Sequence, residues 1–376
     1  MKSKIKNKLN NYILPVTCVP VKGYCRSVIY DLNRNDFNFI PNFLYYILMK
    51  IKNNEKLSKD EADIFFTEYQ EFLLENEYIV DIPPNLHKNF NNLDKSWLVP
   101  YHIGFVFLKI STRNINVLNA LVLDLEEKFF TRYLTFILED CSLLADLSEF
   151  IKNYKSKTVQ YYKIIITNFE LSNDKNDILK LCEIERVQTI KLNINQNINY
   201  EDNIKSLQTT DKIIITNYEN QDIYKLWEIV NPNNFTLNIS MFMEAQKYNT
   251  FFNKKVFIDD ENNFHLTYNF NNTEPTTLIL DMIFNDEISL WKVKKDLIDV
   301  CKDCEFRYMC VDYRIPEQRD DKTWYFKSEC TYNPYISKWE HEENYLDLES
   351  CGILCNKTAF AINNEKIIAL QNEIWG

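Results

Sequence analysis

The sequence predicts a mixed α/β protein made of three consecutive parts, and three features of the chain support this prediction. The segment KIIITN occurs twice, at residues 163–168 and 212–217, where β-branched runs alternate with amphipathic ones. Strand-like segments precede helix-like segments near the amino terminus, and cysteines crowd toward the carboxyl terminus. We expect an α+β module at 1–85, a parallel-sheet domain at 86–250 and a cysteine-rich domain at 251–376.

The composition excludes several classes of function. The 376 residues include only four glycines, so the chain has neither a Walker loop nor a dinucleotide-binding fingerprint, and we expect no bound nucleotide. The net charge of −11 argues against a nucleic-acid partner, which would favour a basic surface.

The amino-terminal segment and the lengths of the apolar runs indicate the cellular compartment of the protein. The basic start, MKSKIKNKLN, lacks the apolar stretch of a signal peptide, and no apolar run reaches the length of a membrane span. We therefore expect a cytoplasmic protein with no membrane partner. In that reducing compartment, the ten cysteines are more often free or metal-bound than paired in disulfides.

The first part reads as a small winged-helix-like module. YILPVTCVPV, RSVIYDL and DFNFIP are rich in β-branched and aromatic residues, which is typical of strands. PNFLYYILMKIK begins with Pro41 and has apolar residues at helical spacing. Ser58 and Glu61 form the pattern of a capping box at the start of a further helix.

The middle part predicts a parallel sheet of βα units. LNALVLDLE, RYLTFILE, the two KIIITN segments, TIKLNI and TLNIS are the expected strands. Amphipathic stretches such as NDILKLCEI and QDIYKLWEIV are the expected helices between them. A full eight-stranded barrel needs about 250 residues, so this part is long enough only for a partial (β/α) barrel.

The last part begins with a hairpin and leads into the cysteines. NKKVFIDDENNFHLTYNF alternates like a β-hairpin, and DEISLWKVKKDLID is the expected helix before the first cysteine of the set. An acidic segment with a helix-like pattern ends the chain.

Four cysteines have the spacing of a metal site. Cys301 and Cys304 form a C-x2-C pair, Cys310 follows after five residues, and Cys330 lies twenty positions further on. Four thiolates can ligate one [4Fe–4S] cluster or one Zn²⁺ ion. The single C-x2-C pair favours the cluster, because zinc ribbons usually have two such pairs, and zinc remains the alternative.

At these residues the chain resembles a known family. VCKDCEFRYMCVDYR and ECTYNPYISKW resemble the SPASM domain of radical SAM peptide maturases, most closely those of grasp-with-spasm ribosomal-peptide systems. EAQKYNT, VKGYCRSVIYDL and FIPN extend the resemblance over most of the chain. It implies an amino-terminal element that recognises a precursor peptide, a degenerate radical-SAM-like barrel, a SPASM-like cluster domain and an ATP-grasp ligase as partner.

The sequence departs from the family pattern at the positions that would bind S-adenosylmethionine and a first auxiliary cluster. The radical SAM motif C-x3-C-x2-C is absent; Cys351 and Cys355 have its first spacing, but Thr358 stands at the third position. We therefore expect no S-adenosylmethionine. Tyr313 stands where a ligand of a first auxiliary cluster is common in the family, so we expect only the second cluster, held by Cys301, Cys304, Cys310 and Cys330.

A peptide-binding groove is expected in the first part. An extended leader peptide can add a strand to an exposed sheet edge, and its side chains then fill pockets beside that edge. The alternative is that the same apolar side chains form an ordinary core. The candidate residues are Phe37, Phe39, Ile40, Phe65, Tyr69 and Phe72.

Together these features predict a protein of ribosomal-peptide maturation. It binds the leader of a precursor, carries one four-cysteine [4Fe–4S] cluster and works with an ATP-grasp ligase, with no intact radical SAM site and no catalytic residue of its own that the sequence identifies. Two alternatives remain: a redox enzyme that modifies the peptide by electron transfer through the cluster, and a zinc-stabilised binding protein without catalysis.

Overall fold

The computed structural model divides the chain into two compact units. We name them the cysteine unit (residues 1–97, 229–250 and 292–376) and the sheet unit (residues 98–228 and 251–291). The structure describes residues 11–89, 96–169, 175–194, 211–217, 229–270 and 274–375. Within these ranges, no helix combines the length and the apolar character needed to cross a membrane.

The cysteine unit begins with the predicted strands and helices. β2, β3 and β4 form an antiparallel sheet with β3 in the centre, and the short strands β1 and β5 pair separately. The capping box is confirmed, because Ser58 accepts a hydrogen bond from the Glu61 N–H and Glu61 accepts one from the Ser58 N–H. The elements are β1 (Tyr12–Ile13), β2 (Cys18–Lys22), β3 (Ser27–Asp31), β4 (Asp36–Ile40), α1 (Asn42–Lys52), α2 (Lys59–Ile64), a π-helical turn (Phe65–Tyr69), α3 (Gln70–Glu75), β5 (Val80–Asp81) and a 3₁₀ helix (Pro84–Asn89).

This three-stranded sheet is covered on both faces. Ile29 and Ile40 pack on one face with helix α1 and Phe65. Val28 and Tyr30 point to the other face, because side chains alternate along a strand, and pack there with Phe306 and other residues of the cysteine-rich segment. The strands that resemble a peptide-recognition element and the cysteine-rich segment therefore share one core.

The sheet unit contains a seven-stranded, mostly parallel sheet, as the repeated β-branched runs predict. The strand order is β10-β9-β8-β7-β6-β11-β12, and only the β11–β12 pair is antiparallel, which confirms the predicted hairpin. Both KIIITN segments lie in strands, β8 and β10. The elements are β6 (Phe105–Ile110), a 3₁₀ helix (Ile115–Val117), α4 (Leu118–Phe129), β7 (Tyr133–Leu138), α5 (Leu144–Asn153), β8 (Tyr161–Phe169), α6 (Lys175–Cys182), β9 (Val187–Ile194), β10 (Ile213–Asn217), β11 (Lys255–Ile258), β12 (Phe264–His265) and α8 (Thr276–Phe284).

Two predicted strands are helical instead. LNALVLDLE begins α4, because its fully buried residues Leu118, Val122 and Leu125 recur at helical spacing, whereas Leu123 is exposed. TLNIS runs into helix α7 (Ile239–Ala245), which Asn238 caps by accepting a hydrogen bond from the Met241 N–H. The predicted helix QDIYKLWEIV lies largely outside the described residues.

The remaining elements belong to the cysteine unit, except for the 3₁₀ turn Leu290–Lys292, in which the chain passes from the sheet unit to the cysteine unit. The predicted helix over DEISLWKVKKDLID is wrong, because the segment has only two 3₁₀ turns. Trp291, Val293 and Lys295 are all buried in it, and this alternation is incompatible with one helical face. The elements are a 3₁₀ helix (Pro232–Asn234), α7 (Ile239–Ala245), 3₁₀ turns (Leu290–Lys292, Lys295–Leu297 and Cys301–Asp303), β13 (Pro316–Gln318), β14 (Trp324–Phe326), β15 (Tyr332–Asn333), β16 (Lys338–Trp339), β17 (Ile353–Cys355), β18 (Phe360–Ile362) and α9 (Asn364–Trp375).

Candidate metal centre

A strained turn places the first two cysteines. Val300 has φ 66° and ψ −51°, and the Cys301 N–H donates across it to the Asp299 carbonyl at 2.8 Å, which is the geometry of a γ-turn. A β-branched residue rarely adopts a positive φ, so the surrounding contacts must hold this turn in place. A 3₁₀ turn follows, in which the Cys304 N–H donates to the Cys301 carbonyl at 3.1 Å.

Longer-range bonds fix Cys310. Its strand-like backbone forms an antiparallel bridge with Phe235, and its carbonyl accepts a hydrogen bond of 2.8 Å from the Thr250 hydroxyl. Cys330 precedes β15, and the Tyr332 N–H points to its sulfur at 3.5 Å. Each cysteine is therefore positioned by a different backbone contact of the cysteine unit.

The four predicted cysteines come together around one pocket. Cys310 is buried and the other three are half-buried, and all ten cysteines of the chain are free of disulfides. Aromatic rings form much of the remaining wall, with the Phe306 and Tyr332 ring centroids 4.9 Å apart. The pocket is lined by Val230, Phe235, Lys295, Val300, Cys301, Cys304, Phe306, Arg307, Cys310, Asp312, Arg314, Cys330, Tyr332, Pro334 and Trp339.

The sulfurs influence one another electrostatically, as expected for a cluster of thiols. Burial raises the pKa of Cys301 to about 11, and Lys295 and Arg314 oppose the rise. Burial also raises the pKa of Cys304, Cys310 and Cys330, and neighbouring cysteines add to the rise for Cys304 and Cys310. Without a bound cation or cluster these thiols are protonated near neutral pH, so loading a metal must release protons.

Backbone N–H groups are directed at two of these sulfurs. The Phe306 N–H donates to Cys304, and the Tyr332 N–H donates to Cys330, in each case from two residues further along the chain. Such bonds favour the thiolate form and, in iron–sulfur proteins, contribute to the reduction potential.

A buried group of charges borders the pocket. Lys295 and Arg314 both pair with Asp312, and Arg314 does so through two bonds, of 3.0 Å from Nε and 2.7 Å from Nη2. All three side chains are at most 4% exposed. The two cations and one carboxylate of this group have a net charge of +1, which suits a bound group that carries negative charge.

A second buried carboxylate lies behind the pocket. Glu305 accepts hydrogen bonds from Arg26 Nε at 2.9 Å and from the Tyr332 hydroxyl at 2.5 Å. The Tyr30 hydroxyl donates a hydrogen bond of 2.6 Å to the backbone carbonyl of Glu305. Burial raises the pKa of Glu305, and the bonds from Tyr332 and Arg26 oppose the rise. Sequence reasoning missed Glu305, Lys295, Asp312 and Arg314, because no local pattern reveals which charged side chains become buried.

The described residues contain no cluster of three His, Cys, Asp or Glu side chains arranged for a single metal ion. The four pocket cysteines are the residues that could together hold a metal group through their sulfurs. Cys351 and Cys355 do not line the pocket: Cys351 accepts a hydrogen bond from Asn333 Nδ2 at 3.3 Å, and Cys355 contacts Arg319 at 3.7 Å.

The candidate peptide-binding residues divide between core and surface. Ile40 and Phe65 are 3% and 0% exposed in the core beneath the sheet. Tyr69 and Phe72 pack partly buried against the same core. Phe37 and Phe39 point to the opposite face, and the Phe39 side chain is 44% exposed. The Arg26 guanidinium lies 3.5 Å from the centroid of the Phe39 ring.

Comparisons with known proteins give weak structural similarities. No protein family and no curated protein matches the sequence. The crystal structure of Streptococcus suis SuiB bound to S-adenosylmethionine aligns over 80% of this chain and 94% of SuiB, with 10% identity and a TM-score of 0.26. SuiB bound to the precursor peptide SuiA aligns over 80% of this chain and 94% of SuiB, with 9% identity and a TM-score of 0.27. At these TM-scores, the similarity establishes neither a shared activity nor a shared ligand.

Proposed function

We propose that this protein takes part in the maturation of a ribosomally made peptide. In this proposal it binds the leader of the precursor, carries one [4Fe–4S] cluster on Cys301, Cys304, Cys310 and Cys330, and works beside an ATP-grasp ligase. The observation that carries the proposal is the assembly of these four cysteines around one pocket, next to the strands that resemble a peptide-recognition element.

The donor set supports a cluster over zinc. A Zn²⁺ ion with bonds of about 2.3 Å draws four sulfurs to within about 3.8 Å of one another, whereas a cubane cluster binds each cysteine through a different iron. The single C-x2-C pair, Cys301 and Cys304, favours the cluster, because zinc ribbons usually have two such pairs. When bound, a cluster with four cysteine ligands supplies electron transfer or a structural anchor, because no iron remains open to a substrate.

The residues around the cysteines have separate roles in this proposal. Lys295 and Arg314 offset the negative charge of the thiolates, and Asp312 keeps both cations oriented toward the site. Phe306, Tyr332 and Trp339 exclude water from the pocket, which strengthens these electrostatic interactions.

The edge of β4 is the proposed place for the leader peptide. β4 pairs with β3 on one side, and no other described strand pairs with its outer edge. An extended peptide can add a strand at such an edge. The exposed ring of Phe39 would then cover an apolar side chain of the peptide, and Tyr69 and Phe72 remain candidates on the helical side.

Metal analysis tests the cluster. Protein purified without oxygen is expected to contain about four irons and four sulfides per chain and little zinc. Cys301→Ser and Cys310→Ser should lose iron, whereas the control Cys355→Ser should retain it, since Cys355 lies outside the pocket. Stoichiometric zinc without iron would overturn the cluster and leave the zinc-stabilised alternative.

Co-expression tests the partnership. The protein, the precursor and the ligase are expressed together, and the product is followed by mass spectrometry. We expect the yield or pattern of cross-links to fall when this protein is left out. An unchanged product would contradict a role beside the ligase, and a mass change in the precursor without the ligase would favour the redox-enzyme alternative.

A further inference from the structure

The parallel sheet of the sheet unit has one fully buried face and one face that is partly exposed. Along β8, Tyr162, Ile164 and Ile166 are fully buried. Tyr161 and Lys163 alternate with them and are exposed. Ile165 of β8 and Ile137 of β7 point to the second face as well and are buried, so this face is open only around Tyr161, Lys163 and the half-buried Lys191. We call this part of the sheet the open face.

Two lysines stand side by side on this open face. Lys163 on β8 lies between Thr135 on β7 and Thr189 on β9. Lys191 on β9 pairs with Ile165 of β8, which is two residues from Lys163 and points to the same face. Lys191 therefore shares a face with Lys163, on the neighbouring strand and two residues further along. With strands about 4.8 Å apart and a rise of about 3.3 Å per residue, the two Cα atoms are about 8 Å apart.

Neither lysine has a counter-charge among the described residues. In the described ranges neither Lys163 nor Lys191 forms an ion pair with a carboxylate, although acidic residues outnumber basic ones by 54 to 43 in the whole chain. Burial lowers the pKa of both lysines. Lys163 is nevertheless exposed to water.

Aromatic rings continue this surface along the next row of the sheet. Tyr133 and Tyr161 stack with centroids 6.1 Å apart, and Phe105 stacks on Tyr133 at 4.4 Å. The rings of Phe105, Tyr133 and Tyr161 provide a flat apolar surface beside the two lysines. Thr135 and Thr189, which flank Lys163 on the neighbouring strands, add hydroxyl groups that can form hydrogen bonds.

We infer that this open face binds an acidic segment of a peptide, with carboxylates paired to Lys163 and Lys191 and neighbouring apolar side chains on the Tyr133 and Tyr161 rings. Two unpaired, partly desolvated cations gain most from an anionic ligand. A nucleic acid is disfavoured, because two lysines do not form a basic stripe along which a phosphate backbone could lie. The choice of a peptide rests on the proposed function, and the inference adds a second contact, separate from the β4 edge, that selects acidic residues.

Binding of a defined probe tests the inference. A fluorescein-labelled twelve-residue peptide of alternating glutamate and leucine is titrated with the full chain, and anisotropy is recorded. The same peptide with glutamine in place of glutamate is the matched probe. The glutamate peptide should bind at least about tenfold more tightly, since hydrogen bonds between charged groups contribute about 1.5–3 kcal/mol each.

Variants assign the binding to this surface. The double variant Lys163→Gln and Lys191→Gln should weaken glutamate-peptide binding at least about tenfold. The double variant Lys163→Arg and Lys191→Arg keeps both positive charges and should bind the peptide normally. Lys152→Gln, an exposed lysine on α5, is the control and should bind normally. Circular dichroism checks that each variant is folded.

Three outcomes would overturn the inference: equal affinity for the two peptides, an equal loss in the Lys152→Gln control, or tighter competition by tripolyphosphate than by the glutamate peptide. These results leave the proposed function standing if the chain still binds cluster iron and a leader peptide. Conversely, loss of the cluster in the Cys301→Ser variant should not change glutamate-peptide binding. Each of the two proposals can therefore be disproved without disproving the other.

Discussion

Arg26 and Glu305 form an ion pair of 2.9 Å in which the Glu305 side chain is completely buried. Arg26 precedes β3, whereas Glu305 follows Cys304 directly, so the pair joins the amino-terminal sheet to the cysteine-rich segment. The approach is close: a Cβ on Gly23 would stand 2.8 Å from Glu305 Oε2 and 2.4 Å from the Arg26 carbonyl oxygen, so glycine is required there. The cysteine pocket and the candidate leader-binding strand are thus parts of one packed unit.

Replacing Arg26 should destabilise the cysteine unit. Arg26→Ala leaves the Glu305 carboxylate buried without its cation, and we expect a loss of about 3 kcal/mol in the free energy of unfolding, measured by denaturant titration. Arg34→Ala is the control, because the Arg34 side chain is 47% exposed and its ion pairs should contribute less than about 1 kcal/mol. If the two variants lost equal free energies of unfolding, the buried pair would stabilise the protein no more than the exposed ion pairs of Arg34 do.

Removing the Phe39 ring should weaken leader binding without unfolding the protein. Phe39→Ala takes an exposed ring from β4, and a ring buried by a ligand contributes about 1.5–3 kcal/mol, so we expect at least about a tenfold loss of affinity. Isothermal titration with a leader peptide measures it. Phe43→Ala on α1, with 41% exposure, is the matched control and should bind normally. Unchanged affinity for Phe39→Ala would place the leader elsewhere.

Removing the Lys295 cation should lower the reduction potential of the proposed cluster. Lys295→Met leaves Asp312 paired with Arg314, so the protein should fold, but one positive charge beside the cysteines is lost. We expect a drop of roughly 60 mV, equivalent to about 1.4 kcal/mol for one electron, in a titration followed by electron paramagnetic resonance. The neighbouring Lys294→Met, whose side chain is 33% exposed, should shift the potential little. A redox-silent site would contradict the prediction.

Glu126 makes the stability of the sheet unit depend on pH. Although burial alone would raise its pKa, bonds from Ser156 and the Thr158 and Val159 N–H groups lower the pKa of Glu126 to about 2. A lowered folded-state pKa stabilises the protein above the ordinary value of 4.5, and this stabilisation is lost as the pH falls toward about 2.

Glu126→Gln should therefore cost about 2–3 kcal/mol near pH 7, and its deficit relative to the wild type should shrink on acidification. Urea unfolding at about pH 7 and about pH 3 measures the difference. Glu127→Gln is the matched control, because that side chain is 53% exposed and should have little effect at either pH. A deficit that stays constant with pH would refute the assignment to the Glu126 carboxylate.

Local pattern predicted much of the fold because each pattern has a short-range cause. The KIIITN segments are continuous β-branched runs of the kind that a buried parallel strand requires, and they lie in β8 and β10. Ser58 and Glu61 can satisfy each other's backbone donors only at a helix start, and they do. LNALVLDLE failed because a short apolar run fits a strand as well as a helix, and the spacing of Leu118, Val122 and Leu125 was the better guide.

The sequence by itself determined strands β7 to β10 of the parallel sheet, the capping box of helix α2 and the four cysteines that line the pocket, because spacing along the chain encodes all of these. Only the tertiary structure decided that Lys295, Asp312 and Arg314 are buried together beside those cysteines, that Glu305 meets Arg26, and that Lys163 and Lys191 share an open face. These partners are separated by up to 279 positions, and nothing local distinguishes a charge that folding will bury from one that water will solvate.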